Sequence, residues 1–201
     1  MPFESAPAAV IIFLVTIGLS LYTMFRNQSL FFRMALSPYQ VVHENRWQQM
    51  ITSGFVHADM PHLLFNMLTF YFFAFKLEMV LGTIGFLILY FASLVLSDIS
   101  TVVRQKDNPH YRSVGASGAI SGVLFSFVLF APYSKIMIFF IPIGIPAPIF
   151  AALYLAYCHF AAKRGDDFVN HDAHFWGALA GVIVTIILVP EVVPYFLDYI
   201  F

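Results

Sequence analysis

Six stretches of this chain, at 8–25, 60–75, 79–97, 114–131, 136–162 and 173–190, are almost wholly apolar. The hydrocarbon core of a bilayer is about 30 Å thick and takes roughly 20 such residues per helix. Inside it no water can satisfy a backbone N–H or C=O, so a spanning segment of this kind closes its own hydrogen bonds as a helix. Composition agrees. Only 10% of the 201 residues are charged and 60% are hydrophobic, where a soluble domain carries about 25% charged residues. The predicted fold class is therefore an all-α polytopic membrane protein. It is a bundle of six transmembrane helices with a long structured first loop, forming one domain over residues 1–201.

The segments between the runs differ in kind. Residues 26–59 form a long amphipathic connection containing Arg26, Arg33, His43, Glu44, Arg46 and Trp47, expected to lie as a structured loop in the interface. The links at 76–78 and 132–135 are very short, and polar loops are expected at 99–113 and 163–170. The fifth run carries Pro142, Pro146 and Pro148, so its first part is expected to be irregular, with regular helix from about Ile149. The tail 191–201 spaces aromatics along an apolar surface and is expected at the membrane surface. Met1 to Pro7 holds Glu4 and no Lys or Arg, unlike a secretory signal, so the first run is expected to remain as a span.

Several function classes fall away on simple chemistry. A formal net charge of -1 leaves no basic footprint for nucleic acid. The single cysteine, Cys158, excludes an internal disulfide and a cysteine-based zinc cluster, and reads as a small residue on a buried helix. His43-Glu44 begins like a zinc-protease motif, but position 47 is Trp and the pattern fails. Asp98 is the only acid well inside a run, so two carboxylates sharing a site are not available. Its expected role is to end the third helix. No metal and no cofactor is implied.

Three clusters of polar residues remain at membrane depth, where such groups are expensive and usually functional. The first is Gly115-Ala116-Ser117-Gly118, with Gly122 continuing a small-residue face through which helices approach closely. The second is His174, with Gly177 and Gly181 at i+3 and i+7 on the same helical face. A serine is a poor nucleophile without a neighbouring base, and the glycine faces would let the two helices bring hydroxyl and imidazole together. The third is His57-x4-His62-x3-Asn66. His62 and Asn66 share a helix face and offer N–H donors for a developing oxyanion. His171 and Asp172 lie nearer the loop and are read as interfacial.

Taken in order, these motifs resemble the rhomboid family of intramembrane serine proteases, over nearly the whole chain. The resemblance implies Ser117 as nucleophile and His174 as general base, a dyad without an acidic third member. It implies His62 and Asn66 as oxyanion-hole side chains joined by the Ser117 N–H, with His57, Gly115, Gly118, Ser121 and Trp176 as possible site support. Glu78 and Gly82 match the family's structural Glu and Gly at the opposite face. Implied partners are transmembrane protein substrates and the lipid bilayer.

Three positions depart from the pattern. The family's Trp-Arg pair appears reversed as Arg46-Trp47. Ser121 stands where an aromatic often stacks on the base. Trp176 stands where a small residue is usual, and its ring is a candidate to refill that space. The resemblance also implies a bacterial plasma membrane with the active site opening away from the cytoplasm. The charges oppose this: Arg26, Arg33, Arg46, Arg104, Lys106, Arg112, Lys163 and Arg164 fall on the odd-numbered loops and only Lys76 and Lys135 on the even ones, so the positive-inside tendency would place the odd loops in the cytoplasm. Other classes weighed are a derlin-like, catalytically silent binder of membrane proteins and a small transporter.

Overall fold

The computed structural model describes residues 5–138, 141–164 and 170–201. The chain enters through α1 (Pro7–Phe25). Four short elements then build the first loop: α2 (Gln28–Met34), α3 (Pro38–His43), α4 (Gln49–Thr52) and a 3-10 turn (Ser53–Phe55). The loop is structured, as expected, and its organiser is Gln49. This fully buried amide accepts from Ser37 N at 3.0 Å and donates to Gln40 Oε1 at 3.0 Å. Glu44 pairs with Arg46 at 3.1 Å, so the reversed Arg46-Trp47 pair lies on the loop surface.

The second and third runs form the two helical arms of α5 (Met60–Gln105), which break at the non-helical Gly82 (φ 70, ψ 165). The short link expected at 76–78 is helical, and the turn falls at the residue that can adopt a positive φ without a Cβ clash. Beside the bend, buried Glu78 accepts from Ala8 N at 3.1 Å, Ala9 N at 2.7 Å and Thr83 Oγ1 at 2.8 Å. Its carboxylate thus caps the start of α1, satisfying two N–H groups that no helical carbonyl can reach. Asp98 does not end the third run: it is buried within α5, which continues to Gln105.

The central element is α6 (Ser117–Phe130), whose residues 118–126 are all buried. At about 1.5 Å per residue, its 14 residues span about 21 Å, less than a bilayer core. The all-α expectation needs one correction: β1 (Lys135–Ile138) and β2 (Ile141–Pro146) form an antiparallel hairpin, with Lys135 opposite Pro146 and Met137 opposite Gly144. Prolines and β-branched isoleucines favour extended backbone there over helix. Regular helix resumes as α7 (Ala147–Arg164), two residues earlier than expected.

The chain closes with α8 (His171–Leu188) and α9 (Val192–Ile200). The loop expected at 163–170 lies largely outside the described residues. By length and composition α1, α5 and α8 can each cross a membrane, and α6 and α7 are shorter apolar helices.

Candidate active site

Two helices meet here backbone to backbone. A Cβ placed on Gly177 would fall 2.8 Å from the Gly118 carbonyl carbon and closer still to its oxygen; one on Gly181 would fall 2.6 Å from the Gly122 carbonyl carbon. The second arm of α5 closes the other side, with Ser97 seated against Gly118 and Ser93 against Gly122. Further along, the Thr185 hydroxyl meets the Ser126 hydroxyl at 2.7 Å. Dispersion falls away steeply with separation, so an approach this close is open only to residues without side chains.

The seam sets the level of the candidate dyad. Ser117, the first residue of α6, precedes Gly118, and the Ala173 carbonyl lies 3.6 Å from where a Gly118 Cβ would be. His174 follows Ala173 on the first turn of α8. Both Ser117 and His174 are half-buried. The start of α8 is held at this height by Asn170, which accepts from Ala173 N at 3.1 Å and donates to Thr101 Oγ1 at 2.8 Å. Asp172 forms an ion pair with Arg104 of α5. It is an anchor of the helix start, turned to Arg104.

His62 reaches the same place from the first arm of α5. Asp59 caps that arm by accepting from His62 N at 2.7 Å. The His62 ring lies against the backbone of Gly115, where a Cβ would stand 2.6 Å from both Cε1 and Nε2. Gly115 also has φ +112, so this position needs glycine both for conformation and for the imidazole above it. Asn66 is buried one turn further on, with one amide N–H donated to the His62 carbonyl at 3.0 Å.

His57 supports the loop before α6. Its Nε2 accepts from Ala116 N at 3.5 Å, and Nδ1 lies 2.9 Å from Ser20 Oγ, which donates to the Phe55 carbonyl at 3.2 Å. That pattern assigns the proton to Nδ1. Burial, and then the neighbouring His62 ring, push the His57 pKa down to about 3. The imidazole is neutral and structural.

His171, at the loop end of α8, has a buried side chain: it is 5% exposed and meets Tyr157 and His174 edge-on, with centroids 5.2 and 5.9 Å away. Trp176 does not refill the space beside His174; it is 46% exposed and packs on Phe175. The ring that stacks on His174 is Tyr154 of α7, 6.4 Å between centroids and 15° from parallel. Its hydroxyl is fixed by Ser121 at 2.9 Å. A serine at 121 opens room for an aromatic from another helix and anchors it. The sequence offered one signal for this, a small polar residue where a ring was expected, but no pointer to which ring would arrive.

A helical membrane protein with a serine at one helix start, a histidine at another and a glycine-packed seam between them is the class defined so far. The chain belongs to the rhomboid family: the Rhomboid domain model matches residues 44–191. Among its relatives, YdcA of Bacillus subtilis, named as a candidate rhomboid protease, is 42% identical over 89 residues, covering 44% of this chain and 43% of that protein. Rhomboid protein 1, mitochondrial, of Saccharomyces cerevisiae is 32% identical over 142 residues, 66% of this chain and 39% of that one. Presenilin-associated rhomboid-like protein A, mitochondrial, of Danio rerio is 31% identical over 145 residues, 69% and 37%. The chain spans about two fifths of the length of these relatives. Bacterial and mitochondrial proteins both match, so the expected bacterial plasma membrane reduces to membrane residence.

Proposed function

We propose that this protein is an intramembrane serine protease, a single six-span domain that hydrolyses peptide bonds in or beside the transmembrane segments of membrane proteins. The six crossings are α1, the two arms of α5, α6, α7 and α8. Ser117 is the nucleophile and His174 its base. The hydroxyl attacks a substrate carbonyl while the imidazole takes its proton, then returns it to the departing amine; water, deprotonated by the same imidazole, releases the acyl group.

His62, Asn66 and the Ser117 N–H hold the oxyanion. The N–H groups at the start of α6 have no helical acceptor and carry its positive dipole end. The observation that carries this reading is the Gly118–Gly177 and Gly122–Gly181 contact, which packs the first turn of α6 against the second turn of α8, one turn beyond His174. Because α6 is shorter than the bilayer core is thick, Ser117 lies below the membrane surface, reached by water from the side of the first loop. Tyr154, anchored by Ser121, positions the base.

A fluorophosphonate reports the activated serine directly. The purified chain is expected to be labelled, and Ser117→Ala and His174→Ala to lose the label. An unlabelled but folded wild-type protein would overturn the proposal.

A further inference from the structure

Beside His174 lie two buried side chains, His171 and Cys158, to which the protease reading gives no task. His171 and His174 stand one turn apart on α8, and Cys158 of α7 faces them. One ligand atom from each can be chosen so that all three lie within 4.8 Å of one another. Cys158 and His171 are buried and His174 half-buried, so access runs past the His174 imidazole. Aromatic rings wall the group, Tyr154 flat on His174 and Tyr157 edge-on to His171. Counting cysteines in the sequence had dismissed a metal cluster; the second and third ligands are the histidines of the neighbouring helix.

We propose that Cys158, His171 and His174 form a binding site for a thiophilic divalent cation of the Zn2+ kind, and that a cation bound there switches the protease off. Tetrahedral zinc with one sulfur and two nitrogens, at about 2.3 Å and about 2.0–2.1 Å, spaces its ligand atoms roughly 3.3–3.6 Å apart. From separations of up to 4.8 Å, that spacing asks for side-chain rotations that close the group by up to about 1.5 Å. One thiolate and two imidazoles select Zn2+ over Mg2+ or Ca2+, which take oxygen ligands. Binding releases the Cys158 thiol proton to solvent and leaves the fourth position to water. A metal-bound imidazole has given up the lone pair with which it would accept the Ser117 proton, while its other nitrogen carries hydrogen. His174 therefore serves the cation or the serine, never both.

The switching half rests on the protease reading, and the binding half does not. Zn2+ is titrated into the purified full-length chain against a chromophoric chelator. One equivalent is expected to bind, weakened more than about 10²-fold by Cys158→Ser or His171→Asn, a loss at least as large as removing a supporting-shell residue causes. His159→Asn, on the exposed side of α7, is expected to bind as the unmutated chain does.

Co2+ in place of Zn2+ is expected to show a thiolate charge-transfer band that Cys158→Ser abolishes. Circular dichroism of each variant separates lost ligands from lost fold. Fluorophosphonate labelling is then compared with and without Zn2+, each variant against its own metal-free rate. Suppression reversed by EDTA in the unmutated chain, and absent in Cys158→Ser, supports the switch. Binding that survives Cys158→Ser, or that disappears in His159→Asn, overturns the site. Binding at the site without suppression overturns the switch. A chain that binds one Zn2+ through Cys158 but is never labelled retains the site and fails the protease reading.

Discussion

The α6–α8 seam and the α7 flank reach His174 by opposite means. Along the seam, glycines on both helices bring main chain against main chain, and a single added Cβ has nowhere to go. Along α7, contact is made by long side chains. Tyr154 and Cys158 face inward, while Ile149, Leu153 and Phe160 are turned outward and exposed. Backbone contact has no rotamers through which to yield, whereas side-chain contact has several. The seam thus fixes how the helices that carry Ser117 and His174 sit against each other, and the flank positions one ring.

That contrast can be broken at the seam first. Gly177→Leu forces a side chain into the Gly118 carbonyl; the expected result is loss of all fluorophosphonate labelling and a destabilisation above about 4 kcal/mol, the range reserved for major core disruption. Retention of labelling would mean that the helices can separate without consequence, and the rigid half of the comparison would be lost.

A smaller effect is expected from His57, which holds the loop entering α6. Unfolded, this histidine takes up a proton below about 6.5; folded, it stays neutral until about 3. Between those values the unfolded chain binds the extra proton, so stability falls as pH drops, by up to about 1.4 kcal/mol per pH unit. Thermal melting of the unmutated chain and His57→Asn across pH 7 to 4 checks this. The difference between their stabilities should narrow as pH falls, and parallel curves would count against a buried neutral imidazole.

On the flank, Tyr154→Ala is expected to slow labelling by up to about tenfold, as stacked aromatic pairs contribute about 0.5–1.5 kcal/mol. Tyr154→Phe keeps the ring and loses only the Ser121 bond, so about fivefold or less is expected. A Tyr154→Ala effect as large as that of Gly177→Leu would erase the distinction between the two regions. Least of all should follow from Leu153→Ala on the outward face of α7, 58% exposed, with stability within about 0.5 kcal/mol of the unmutated chain in detergent.

Much of this was legible in the residues. The apolar runs, the structured first loop and the two glycine faces follow from local pattern, because bilayer length and helical period are properties of short segments. Glycine at 115, 118, 177 and 181 advertises close approach wherever it occurs. What was misplaced depended on contacts across the fold. The bend fell at Gly82, whose positive φ suits glycine, rather than in the charged link at 76–78, where Glu78 reaches across to cap α1. Three prolines announced an irregular stretch but could not say that it pairs with residues 135–138.

By itself, then, the sequence determined that this chain is a helical membrane protein and which serine, histidines and asparagine could form its site. Only the tertiary structure decided that Tyr154, not Trp176, stacks on His174, that Asp172 belongs to Arg104, and that Cys158 joins two histidines. The reason is one of range. Helical period fixes which residues of one helix share a face, but the partner facing them comes from another helix and is set by how the backbones pack.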